Sequence, residues 1–386
     1  MLSSHVICMS TIKNQGVLTT TGIMEQPVAF EASTASRLSP PRLCKRLICS
    51  RHNTIELLEY TLPRTLADTQ VLVRNIFGAE KHGTMEAFIH KHGNKRGAWD
   101  TERLMHTPGQ GVVWPYPIPL GNMQVGVVEK VGALVTRYKV GDRLVCFRGF
   151  ETWSLIEEVE GWLIQKDTCW KAATCLDPTS FAFTALRDSN TRIGDSVAIF
   201  GLGAIGLTAV ALCKLTGCYP IIAIDPVASR RQIAETLGAN ITLNPDGLDV
   251  GLKLRELTNW RGVDRIIEYS GVVPALNAAL RGVAFGGTVA CGAFPDPYQA
   301  GLDFGGEAHM NRPNIVFTRT ESDPNREHPN WDNVRVRETI LRLIIEGKID
   351  GDAIVHPVIK FGDNLVADYE RIMADKDRSI KMGVEY

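Results

Sequence analysis

The 386-residue chain contains no Cys-x-x-Cys pair; its nine cysteines, at 8, 44, 49, 146, 169, 175, 213, 218 and 291, are scattered. That excludes a dense disulfide scaffold and a dedicated cysteine zinc cluster, and most of these thiols read as small core residues. An excess of either charge is also missing. Lys and Arg number 42 against 43 Asp and Glu, a formal charge of -1, which argues against nucleic-acid or membrane-surface binding driven by bulk charge. No uninterrupted apolar run reaches the roughly 18 residues of a membrane span. The longest such stretch, Val197 to Cys213, is broken by Gly201, Gly203 and Gly206. There is no internal repeat and no heptad array. What remains is 44% hydrophobic and 22% charged, over a length suited to two or three domains: the profile of a soluble, well-cored protein. Residues 1–42 are polar, rich in Ser and Thr, and close on Ser39-Pro40-Pro41-Arg42, so they read as a flexible or partly ordered extension. They lack the basic start, apolar block and small-residue cleavage site of a secretion signal, and the expected compartment is the cytoplasm.

Two textures follow. From Arg46 to Tyr60 the runs Leu47-Ile48-Cys49 and Ile55-Glu56-Leu57-Leu58 flank Arg51-His52-Asn53 and predict a hairpin. Val71 to Arg74, Val125 to Gly132 and Tyr138 to Val145 continue in β-branched runs punctuated by glycine, which predicts a partly closed barrel. Beyond Pro178 strands and helices alternate. Helices are predicted over Ser180 to Asn190, Ile205 to Thr216, Ser229 to Leu237 and Pro274 to Leu280. Strands are predicted over 196–200, 220–224, 241–243, 265–268, 287–291 and 314–317, so the whole reads as a doubly wound parallel sheet. A helix over Trp331 to Glu346, another over Leu365 to Met373 and a strand from Ser379 to Val384 close the chain.

The most specific signal is Val197-Ala198-Ile199-Phe200 running into Gly201-Leu202-Gly203-Ala204-Ile205-Gly206. Gly201 allows a tight turn, Gly203 leaves room for a pyrophosphate, and Gly206 lets the helix pack against the strand. Phosphates then accept hydrogen bonds from amides at the positive end of that helix. Asp225 ends the next strand, 24 residues after Gly201, where its carboxylate would take an adenosine ribose and repel a 2′-phosphate. The expected cofactor is therefore NAD. Arg230 and Arg231 are either helix-surface residues or recruiters of that phosphate. Ser270, just past the strand ending at Glu268, completes the expected cofactor-binding set.

These motifs resemble the medium-chain dehydrogenase/reductase superfamily over residues 43–386. The likeness rests on Val131-Gly132, on Tyr138-Lys139-Val140-Gly141-Asp142-Arg143-Leu144-Val145, on the glycine fingerprint, on Leu237-Gly238-Ala239 and on Lys381 near the terminus. Pro117-Ile118-Pro119-Leu120-Gly121 resembles a zinc-free branch that includes bacteriochlorophyllide dehydrogenase-like members. The resemblance implies an α/β fold: a GroES-like barrel, residues 43–180 and 325–386, split by a Rossmann domain, residues 181–324, with the active site in the cleft.

The resemblance also shows where the chain departs from its family. The segment that carries the first zinc ligand matches Ile76-Phe77-Gly78-Ala79-Glu80, which puts Phe77 at the Cys position and Ala79 at the proton-passing Ser or Thr. Gly121-Asn122-Met123 stands where a Gly-His-Glu is usual, and Asp177, before Pro178, is the one credible donor. No metal is expected, since zinc normally takes Cys, His or carboxylate at each protein position. Proton transfer then falls to Glu80, Lys81, His82, Asn122 and Asp177, of which His82 matches a relay histidine of zinc-dependent members, histidine being the side chain whose ordinary pKa lies near neutrality. Each has a plainer reading: Lys81 solvated, Asp177 capping a helix, His82 in an ordinary loop. Between Phe88 and Trp114, with His90 and His92 two apart, lies a polar connector that reads as a lid or a surface loop.

The function expected is zinc-independent, NAD-dependent hydride exchange with a secondary alcohol or ketone of a small-molecule substrate, a sugar, cyclitol or ring compound. Open alternatives are an NAD-assisted lyase or epimerase, an NADPH-dependent enone reductase, and a non-catalytic dinucleotide sensor. A homodimer is expected through an edge strand near Gly286 to Ala293.

Overall fold

The first hairpin forms where apolar runs flank a turn: β1 (Leu43–Arg51) pairs antiparallel with β2 (Thr54–Thr61), and Asn53 takes the left-handed conformation at the bend. The structure, a computed structural model, describes residues 43–90, 93–94, 96–107, 112–295, 297–298, 301–320, 330–375 and 377–386; the expected extension 1–42 lies outside these. β3 (Gln70–Ala79) is the hub of a larger sheet and leads into α1 (His82–His90). There follow β4 (Met123–Val131), β5 (Arg143–Phe147), β6 (Trp153–Glu157) and β7 (Gly161–Ile164). β3 pairs with β4 on one side and with β6 on the other, and Val71, Val73, Val128, Leu144 and Ile156 fill the space enclosed as the sheet curls. This is the partly closed barrel expected.

The chain leaves the barrel through α2 (Leu176–Asp188) and enters a second sheet. Its elements are β8 (Val197–Phe200), α3 (Ala204–Thr216), β9 (Ile221–Ile224), α4 (Ala228–Leu237) and β10 (Ile241–Leu243). Then come α5 (Val250–Leu257), β11 (Val263–Glu268), α6 (Val273–Gly282), β12 (Val283–Cys291) and β13 (Asn314–Phe317). All six strands are parallel in the order β10-β9-β8-β11-β12-β13. β8 and β9 are buried at every residue, as strands covered on both faces must be. Leu207, Val210 and Ala182 of α3 and α2 cover one face, while Leu254, Leu276 and Leu280 of α5 and α6 cover the other. The strand order reverses between β8 and β11, and in open sheets of this kind ligands bind outside the carboxyl ends at that point.

Asp332 then caps α7 (Asn333–Ile345) by accepting from the Arg335 N–H. The chain returns to the barrel through β14 (Val358–Lys360), α8 (Leu365–Ala374) and β15 (Gly383–Glu385), which lies antiparallel to β3 at Gly383↔Ala79. Among the described residues no helix is long and apolar enough to cross a membrane.

Four expectations are corrected. The boundary at residue 180 falls inside α2, one continuous helix that starts at Leu176 because Pro178 is acceptable in a first turn. β12, which holds Gly286 to Cys291, is interior; β13 beside it is the edge strand on that side, and β10 is the edge on the other. His90 ends α1 and pairs its Nδ1 with Asn53 Oδ1 at 2.8 Å, so it is not in a strand, and His92 lies outside the described residues. The terminal strand begins only at Gly383, because Lys381 and Met382 turn their polar groups to Glu80 instead.

Candidate active site

At the reversal point the fingerprint glycines divide their tasks as their geometry requires. Gly201 has φ +87°, and a Cβ there would sit 2.8 Å from the Ser270 nitrogen. A Cβ on Gly206 would overlap the Gly201 carbonyl oxygen, so α3 packs on β8 only with glycine at that position. At Gly203, the N-cap of α3, a Cβ would meet nothing within 4 Å. That open space, beside the amides of Ala204 and Ile205 in the helix's first turn, fits a pyrophosphate. Leu202 is buried and gives its N–H to Asp225 Oδ2 at 2.7 Å, while Asp225 Oδ1 accepts from Val227 N–H at 2.8 Å. Each carboxylate oxygen still has a lone pair to offer.

Both arginines beside Asp225 are engaged. Arg231 Nη1 donates to the carbonyls of Asp225 and Pro226 at 2.6 and 2.8 Å. Arg230 stands 3.8 Å from Asp225 Oδ2 and donates to the Ser379 carbonyl at 3.3 Å. Ser270 is exposed at the other lip, with its N–H 2.6 Å from Glu268 Oε1 and its hydroxyl on the same oxygen. Burial raises the Glu268 pKa, and those bonds with the Gly271 N–H oppose the rise.

A second group of polar residues gathers where β3 ends. Asp177 lies in the first turn of α2 but caps nothing; its carboxylate faces Lys81 Nζ at 3.3 and 3.4 Å. Phe181, one helical turn further and so on the same face, puts its ring 3.8 Å beneath that ammonium. Lys81 is thus an engaged, half-buried lysine rather than a solvated one, with 26% of its side chain exposed. Glu80 is fully buried, and its carboxyl acts on the Tyr369 hydroxyl, whose pKa burial and that carboxyl both raise. Asn122 gives its backbone N–H to Ala79 O, while its buried Nδ2 finds no hydrogen-bond partner among the described residues. His82 opens α1, but its side chain lies outside the described residues. Phe77 and Ala79, which stand at the matched first-ligand and proton-passing positions without a donor group, are buried inside β3 as core residues.

Two hydrogen bonds join this pocket to the dinucleotide crevice. Tyr269, beside Ser270, gives its hydroxyl proton to the Phe181 carbonyl at 2.8 Å, and Thr208 of α3 reaches the Pro178 carbonyl at 3.3 Å. α2 therefore forms a shared wall. Sequence reasoning missed Tyr269 and Phe181, which carry no local signature. It also gave Lys381 no role, although a lone lysine between Ile380 and Met382 was a signal. Among the described residues no three His, Cys, Asp or Glu side chains converge as metal donors.

Comparison with known proteins bears on the family and the fold. A family described as zinc-binding dehydrogenase matches residues 204–322. D-guloside 3-dehydrogenase of Escherichia coli K12 is 37% identical over 352 residues, 89% of this chain and 100% of that protein. Among solved structures, 2R,3R-butanediol dehydrogenase from Bacillus subtilis superposes with a TM-score of 0.72 at 20% identity, covering 89% of this chain and 99% of its own. An alcohol dehydrogenase from E. coli CFT073, solved with NADH, gives 0.72 at 16% identity, covering 89% and 99%. A further structure of this fold holds NADP.

Proposed function

This chain belongs to the medium-chain, zinc-binding-type dehydrogenase family, and within it we propose that the protein is a zinc-independent, NAD-dependent dehydrogenase of a secondary hydroxyl on a sugar ring. The observation that carries the reading is the Lys81–Asp177 pair: a proton-transfer group stands at the end of β3, across α2 from an intact dinucleotide crevice. The sugar class is supported by the relative that acts on D-gulosides over the full length of its chain.

Zinc does not fit the donors present. Asp177 faces an ammonium 3.3 Å away, where a metal's charge would have to stand, and Asn122 offers an amide in place of imidazole. NAD does fit, through the open Gly203, the first-turn amides of α3 and the spare lone pairs of Asp225. When bound it supplies the hydride acceptor. Asp225 would hold the ribose hydroxyls, its charge would disfavour a 2′-phosphate, and Arg230 and Arg231 are already engaged with protein carbonyls.

In the oxidation direction Lys81 first yields a proton to solvent, and the amine so formed takes the substrate hydroxyl proton as the carbinol hydride leaves. Asp177 and the Phe181 ring hold the resulting ammonium in place. In reduction the same ammonium protonates the oxygen as negative charge grows on it. The idle Asn122 Nδ2 donates to a substrate oxygen and orients the ring. Glu80, fully buried, stands behind Lys81 as the preceding residue. A second copy pairs along β13, the sheet edge, where Phe317 is 83% exposed.

The test is NAD reduction by metal-analysed protein with a panel of hexosides epimeric at single ring hydroxyls, beside simple aliphatic alcohols. Turnover confined to one ring epimer supports the reading; turnover of the aliphatic alcohols alone overturns the sugar assignment.

A further inference from the structure

Glu80 is held through both of its backbone polar groups by one short segment. Its N–H donates to the Met382 carbonyl at 3.1 Å, and its own carbonyl accepts from Lys381 Nζ at 2.6 Å. Lys81 is the next residue. Lys381 is only 2% exposed, and the charged or titratable groups acting on it are Asp177, Cys175, Lys81 and Glu80. A buried ammonium is costly unless it is paired, and an apolar side chain of equal length would close the same space more cheaply. Its ammonium donates to a backbone carbonyl at the root of the Lys81 side chain.

The segment is anchored at its other end to the dinucleotide half. Ser229 of α4 donates to the Asp377 carbonyl and Arg230 to the Ser379 carbonyl, each at 3.3 Å, and Arg230 also faces Asp225. Residues 377–382 thus run from beside the ribose carboxylate to the backbone under Lys81.

We infer that Lys381 is a positioning residue: through the Glu80 carbonyl it fixes the backbone from which Lys81 reaches Asp177 and the substrate hydroxyl, in register with the cofactor. The inference rests on the reading of Lys81 as the proton-transfer group. A lysine whose root shifts by an ångström loses its line to the reacting oxygen, while binding of the dinucleotide, made by other residues, is untouched.

The experiment compares Lys381→Met, Lys381→Arg and Lys81→Met in the full chain, with kcat, KM for each substrate, NADH binding and the deuterium isotope effect on kcat. Lys381→Met keeps the stem and loses the donor; kcat is expected to fall between about 10- and 100-fold, with KM for NAD within about 2-fold and a larger isotope effect. Lys381→Arg, which can still donate, recovers most of the rate. If Lys381→Met does not fold, Lys381→Gln carries the test, being one bond too short to reach the carbonyl, and the same loss is expected. A folded Met or Gln variant with kcat within about 2-fold of wild type, while Lys81→Met is inactive, overturns the inference and leaves the proposed function standing. A loss that Lys381→Arg does not recover also overturns it. Full activity in Lys81→Met overturns the underlying reading, and the inference with it.

Discussion

The dinucleotide crevice and the Lys81 pocket share one wall and are built in opposite ways. The crevice is local: Gly201 to Gly206, Asp225 and Ser270 are delivered by consecutive β-α-β units, and backbone geometry does most of the work. The pocket is assembled from residues 80, 81, 122, 177, 181 and 381, brought together by the barrel, by α2 and by the returning C-terminal segment. A site made of backbone tolerates little change in shape but few of its side chains carry chemistry. A site made of distant side chains depends on a few charged groups, each sensitive to its support.

The sharpest way to break the comparison is to remove the charge of the pocket alone. Lys81→Met is expected to lower kcat by about 10²- to 10⁴-fold, in the range of a lost general acid-base group, with NADH affinity unchanged by titration. If both fall together, the two regions are not separable. Next in size, Gly203→Val adds a side chain where a Cβ meets nothing, and is expected to weaken NADH binding by about 100-fold or more with little change in thermal midpoint. Gly206→Ala is the contrast: the new methyl overlaps the Gly201 carbonyl, and a stability loss of about 1–3 kcal/mol by urea unfolding is expected.

A smaller effect sharpens the assignment of specificity. Asp225→Asn is expected to raise KM for NAD by about 10-fold and to narrow the preference over NADP, read from kcat/KM for the two cofactors. The smallest concerns pH. Burial lowers the Lys381 pKa from 10.5, with the Asp177 carboxylate opposing the shift. The unfolded chain therefore binds more protons at this site than the folded one in the window just below pH 10.5, so this residue's contribution makes stability rise with pH there. Chemical denaturation across that window is expected to show a flatter slope in Lys381→Met than in wild type.

The same contrast explains what was legible in the sequence. Alternating strands and helices, the glycine turn and Asp225 are short-range patterns, and the parallel sheet and its crevice follow from them. The barrel was visible as β-branched runs, but its closure was not, because β3 meets β6 and β15 from segments far along the chain. Glu80, Lys81, Asn122 and Asp177 were singled out as chemistry-bearing residues, yet no spacing could show that Lys81 turns inward onto Asp177 and Phe181. A match of short segments sets Phe77 and Ala79, which lack donor groups, at the first-ligand and proton-passing positions; both lie within the strand, and the loop begins only at Glu80. The edge strand was misplaced because β13 is short and follows a long excursion after β12, so its pairing is a tertiary fact.

The central claim is that an ammonium, and not a metal, faces the reacting oxygen. Its most direct test is to treat the purified protein with a strong chelator, measure zinc per chain, and assay NAD-linked turnover on the substrate found in the hexoside panel, before and after adding zinc. Unchanged turnover with far less than one zinc per chain is the expected result. Activity that is lost with the metal and restored in proportion to added zinc would contradict it.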